Sequence, residues 1–99
     1  MPLRISSRVL EKLLGKVPPV TRQEVEQCFM NRWPGEPLTD KRDQHKTEPR
    51  TQWFIAETDK GRRLKIVHVQ EGDVIDLKTA YDPNKTELLI FFKHGAQSD

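Results

Sequence analysis

The sequence predicts an α+β domain: an antiparallel meander sheet with an N-terminal two-helix hairpin packed on one face. Three observations predict it. Two helix-start patterns lie in the first quarter of the chain, ahead of apolar residues at helical spacing. Residues 33–51 carry no apolar period. From Gln52 onward, alternating apolar runs are separated by two tight-turn signals, Asp59-Lys-Gly61 and Glu71-Gly-Asp73. A chain of 99 residues holds one modest core, so we read residues 1–99 as a single domain. That length excludes a dinucleotide-binding fold or an eight-fold barrel.

The helical hairpin is expected over residues 6–32. Val9, Leu10, Leu13 and Leu14 share one face of a helix over 7–16, with Ser6 or Ser7 as its cap and Gly15, Pro18 and Pro19 as its stop. Thr21-Arg-Gln-Glu24 is a capping box flanked by Val20 and Val25 at the staple positions. Val25, Cys28 and Phe29 form the buried stripe of this second helix, which should stop near Arg32, before Trp33-Pro-Gly35. Residues 33–51 read as a long polar loop, a length that is often functional or disordered.

The meander is expected over 52–81. Its strands are Trp53–Thr58, Leu64–Val69 and Val74–Tyr81, and the short turns make neighbours antiparallel. Strict alternation puts Ile75, Leu77, Thr79 and Tyr81 on one face, with Leu64, Ile66 and His68 alongside. Asp76, Lys78 and Ala80 then take the other face, with Arg63, Lys65 and Val67. In the tail, residues 84–94 are either a short helix or a strand. Leu88–Phe92 has strand propensity, whereas Asn84-Lys-Thr-Glu87 is a helix cap and Gly95 a stop; the caps favour a helix over about 85–93.

A net charge of +2 conceals an uneven distribution. Residues 41–65 carry eight Lys and Arg against four Asp and Glu, whereas residues 66–99 carry three against six. The basic middle, including Lys46, Arg62, Arg63 and Lys65, is able to hold phosphates if folding gathers it on one face. The alternative is a solvated loop and a charged hairpin rim that discourages edge-to-edge sheet pairing. Lys65 and Lys78 are the stronger pair for phosphate, because alternation places both on the face away from the helices; Asp76 on the same face could bridge to one of them. His45, in the basic loop, is a candidate RNA contact. His68, between two valines, reads as a packed, hydrogen-bonded histidine, and Trp53 as a core residue or a stacking surface. No stretch approaches the roughly 20 apolar residues of a membrane span, and no signal-peptide pattern opens the chain, so a cytoplasmic protein with no membrane partner is expected. With one cysteine, three scattered histidines and singly placed carboxylates, no metal site and no cofactor is expected.

These residues meet a known pattern. Val20-Thr-x-x-Glu24-Val-x-x-Cys28-Phe, Trp53-Phe-Ile-Ala-Glu-Thr58, Gly61-Arg-Arg-Leu-Lys-Ile-Val67 and Ile75-Asp-Leu-Lys-Thr-Ala80 resemble BrnT-like proteins, small toxins of type II toxin–antitoxin modules in the RelE/ParE superfamily. The similarity spans roughly residues 5–93. It implies a RelE-like fold, a bacterial source, RNA or the ribosome as target, and an antitoxin protein as partner. It also implies RNA cleavage without a metal, by Arg and Lys that grip phosphate and an aromatic or basic side chain that stacks or moves a proton. On this chain the catalytic candidates are Arg62, Lys65 and Tyr81, and the RNA-binding candidates are Arg63, Lys78, His45 and Lys46. Tyr81 stands where the family tends to carry Arg; it stacks or donates a hydrogen bond but supplies no fixed cation. That substitution keeps a second reading open, a non-catalytic RNA- or protein-binding module on the same fold. The Trp53–Thr58 and Thr79-Ala-Tyr-x-Pro-Asn84 patterns are also similar to proteins described as ADP-ribosyl-dinitrogen-reductase hydrolases. A chain this short, without clustered carboxylate ligands, does not fit that metal-pair chemistry.

Overall fold

Each N-terminal helix begins where a side-chain oxygen meets an orphan backbone amide. In the computed structural model, which describes residues 3–32, 38–39 and 51–95, Ser6 Oγ accepts from the Val9 amide at 3.2 Å and starts α1, Ser7–Leu14. The helix ends two residues short of the expected position, because Gly15 and Lys16 turn back onto the carbonyls of Glu11 and Leu13. Helix α2, Arg22–Asn31, opens with the expected capping box: the Glu24 amide donates to Thr21 Oγ1 at 3.1 Å, and the Thr21 amide donates to Glu24 Oε1 at 3.0 Å. Leu13, Val20, Val25, Cys28 and Phe29 are buried between this hairpin and the sheet.

The sheet corrects the expectation of a purely antiparallel three-stranded meander. Its strands are β1 (Leu3–Arg4), β2 (Leu38–Thr39), β3 (Gln52–Glu57), β4 (Arg63–Glu71) and β5 (Val74–Tyr81), in the order β1-β5-β4-β3-β2. The central pairs, β3 with β4 and β4 with β5, are antiparallel as expected. The sheet is nevertheless mixed, since β1 runs parallel to β5 with Leu3 opposite Ile75. β2 pairs antiparallel with β3 inside the stretch read as loop, with Leu38 opposite Trp53. Both edge strands are two residues long, too short to show an alternation. The rest of the long loop, 33–37 and 40–50, lies outside the described residues.

A β-bulge corrects the expected facing of β5. Thr79 lies opposite Val67 and Leu77 opposite His68, which leaves Lys78 unopposed. One extra residue inverts the alternation on either side of it. Ile75 and Leu77 therefore face the helical hairpin, and beyond the bulge Ala80 does so, opposite Ile66. Thr79 and Tyr81 turn to the other face, beside Val67 and Lys65.

That second face carries the C-terminal segment. Helix α3, Lys85–Ile90, starts with a capping box between Asn84 and Glu87 and runs into a π-helical turn, Phe91–Gly95, so the tail is the helical alternative. Phe91 is buried against the sheet, with its ring 6.1 Å from that of Trp53.

Candidate functional site

Register and bulge together bring Lys65 and Tyr81 directly opposite each other on the face turned from the hairpin. Trp53, on the neighbouring strand, places its ring beneath the lysine, with Lys65 Nζ 4.3 Å from the indole centroid and 5.6 Å from the Tyr81 centroid. Both distances lie within cation–π range. Trp53 is thus half-buried, packed on the core at one edge and under an ammonium at its face.

α3 supplies the counter-charge. Glu87 Oε2 accepts from Lys65 Nζ at 2.7 Å and from Tyr81 OH at 2.8 Å, while Oε1 accepts from the Asn84 amide at 3.0 Å. The side chains of Lys65 and Glu87 are 15% and 18% exposed, so the pair is shielded but not sealed. Burial alone would raise the Glu87 carboxyl; Lys65, the Asn84 amide and Tyr81 together hold it below the ordinary carboxylate range. The Tyr81 phenol moves up, first from burial and then from its hydrogen bond to Glu87. Around these groups lies an open cavity of about 380 Å³, the size of a small-ligand pocket. Thr51, Val67 and Thr79 form its floor with Trp53, Lys65 and Tyr81, and Glu87 and Ile90 border it from α3. A carboxylate, an ammonium and a phenol meeting on an aromatic floor are able to bind an oxyanion, transfer a proton and stack a planar ring.

The other candidates lie elsewhere. Arg62 is apart from this cavity, its guanidinium taken up by the protein itself. It donates to both Asp82 oxygens at 3.1 and 3.0 Å, to the carbonyls of Pro19 and Pro18 at 2.7 and 3.0 Å, and to Glu24 at 3.4 Å. Its charge-assisted hydrogen bond and proximity hold the Asp82 carboxyl below its usual range. Arg63 is exposed on the same face as Lys65, 5.8 Å from the centroid of the Phe92 ring. Lys78, expected beside Lys65, is instead exposed at the bulge with no residue opposite it: Thr79 takes the place opposite Val67, and Tyr81 the place opposite Lys65. His45 and Lys46 lie outside the described residues. His68 is packed as expected on the hairpin side, buried with its ring edge-on to Phe29 and Phe54. Its Nδ1 has no hydrogen-bond partner among the described residues.

Glu87 is the site residue that sequence reasoning missed. Its signal was visible as the fourth residue of Asn84-Lys-Thr-Glu87, but a capping pattern does not say what surface the helix will lie on. A second depression, about 460 Å³ beside the start of α2, gathers Glu24, Gln27, Thr58, Asp59 and Lys60, with no aromatic side chain among the described residues that line it. Among the described residues, no three His, Cys, Asp or Glu side chains gather as metal ligands, and no helix is long and apolar enough to cross a membrane. Comparison with protein-family models, curated proteins and solved structures finds no match for the chain.

Proposed function

We propose that this chain is a toxin-like, RNA-binding component of a bacterial toxin–antitoxin system. On this reading it has a BrnT-like, RelE-like fold, works in the cytoplasm and is held in check by an antitoxin. The observation that carries the reading is the Lys65–Tyr81 pair over Trp53 on the sheet face opposite the helical hairpin. An RNA phosphate would take the ammonium and phenol donors, and an unstacked base would lie on the indole. In a cleavage reaction without a metal, Lys65 would stabilise charge on the phosphorane and Tyr81 would donate to one of its oxygens. Arg62 supports this site by tying the end of β5 to the link between α1 and α2, and Arg63 extends its positive edge.

The second reading, RNA or protein binding without cleavage, draws support from two features. Tyr81 supplies no fixed cation, and Glu87 neutralises the nearest one. Expression without its genetic neighbours separates the two. A ribonuclease toxin arrests growth and fragments cellular RNA, and Lys65→Ala relieves both. Normal growth with intact RNA under strong induction would overturn the ribonuclease and leave the binding module.

A further inference from the structure

We propose that Glu87 is a built-in competitor for the anion received by Lys65 and Tyr81, so that the free protein holds its phosphate-binding donors in an autoinhibited state. The proposal rests on the RNA-binding reading of this face and adds its regulation.

One oxygen, Glu87 Oε2, accepts from both donors, at 2.7 and 2.8 Å. A carboxylate oxygen and a non-bridging phosphate oxygen ask the same of an ammonium and a phenol: a short, charge-assisted hydrogen bond. Both cannot be served at once, because two anions would then share one half-buried site. The cavity in front of the pair gives a phosphate a route to the donors once the carboxylate turns aside.

The way α3 is built makes release inexpensive. The helix has six residues and buries none of them; Leu89 and Ile90 are 67% and 43% exposed. Its start is organised by its own capping box through Glu87 Oε1, which does not depend on the sheet. Upstream, Asp82 is pinned by Arg62, and downstream Phe91 is buried. The segment is therefore anchored at both ends; in between, Leu88 packs partly buried against the core and Glu87 makes the hydrogen bonds to the site. A short element with few buried contacts opens locally at low free-energy cost.

Glu87→Gln tests this, because glutamine still serves the capping box while losing the charge. The full chain is titrated with a fluorescein-labelled single-stranded RNA nonamer at low salt. Glu87→Gln should bind about tenfold more tightly than the wild type, the scale of one charge-assisted hydrogen bond. That gain should vanish in Glu87→Gln/Lys65→Met. Glu11→Gln, which makes the same charge change on an exposed position of α1, should stay within about twofold of the wild type. If Lys65→Met weakens binding but Glu87→Gln gains no more than Glu11→Gln, the competitor is overturned and the RNA site stands. If Lys65→Met leaves RNA binding unchanged, the RNA site itself fails, and the competitor with it.

Discussion

His68 is a buried titratable side chain that the site does not use. Burial lowers its pKa from 6.5 to about 4, and the charge of Arg32 pushes in the same direction. The unfolded chain therefore binds the proton more readily than the native one between these values. Native stability is fully present above about pH 6.5 and declines as the pH falls towards 4, with about 2 kcal/mol lost by pH 5. His68→Leu should remove this part of the acid sensitivity, and among the described residues it removes no hydrogen bond from Nδ1. Urea denaturation at pH 7.5 and pH 5 measures it. The variant should lose clearly less stability than the wild type between the two, and an equal loss would contradict the assignment. Cys28 is inert for a similar reason: burial, reinforced by Glu24, pushes its thiol up to about 12, and its Sγ lies 3.7 Å from the Ala56 carbonyl. The inward position of His68 was legible from alternation alone, because the extra residue of the bulge lies on β5 and Leu64, Ile66 and His68 all stay buried along β4. The position of Tyr81 was not, since one unopposed residue, Lys78, inverts every side chain after it.

At the scale of elements, the two capping boxes do more than begin helices. Each glutamate accepts the backbone amide of the capping residue, Thr21 or Asn84, and also a cation from the third quarter of the chain, Arg62 for Glu24 and Lys65 for Glu87. Each helix start is thereby tied towards β4. Arg62 is the stronger tie, because its planar fork meets both Asp82 oxygens while the remaining donors hold Pro18 and Pro19. Arg62→Met should cost about 2 kcal/mol, the order of a hydrogen-bonded charge pair that is partly shielded. Arg62→Lys should recover only part of it, since an ammonium cannot span the fork. Thermal unfolding of the three proteins checks the ranking; equal stabilities would show that the network contributes nothing. The helix starts and the three long strands were legible because their signals are local: a cap residue, a turn glycine, an alternation. The edge strands β1 and β2 were not, because two residues carry no period and their pairing depends on chain far away in sequence.

At the scale of the molecule, the sheet separates two tasks. One face binds the helical hairpin and most of the core, while the other binds a short C-terminal segment through Leu88, Phe91 and the Glu87 carboxylate and leaves a cavity beside it. The concentration of positive charge in the middle of the chain was readable from composition, but its subdivision was not. Arg62 is consumed in structure, Lys65 faces the cavity and Arg63 is exposed beside it. The central claim is that Lys65 receives an RNA phosphate on this face. Its most direct test is the salt dependence of single-stranded RNA binding by the wild type and Lys65→Met. The account expects wild-type affinity to fall linearly on a log–log plot, and Lys65→Met to bind more weakly with a slope shallower by about 0.7, the loss of one phosphate contact. Affinity that does not change with salt, or identical slopes and affinities in the two proteins, would contradict it.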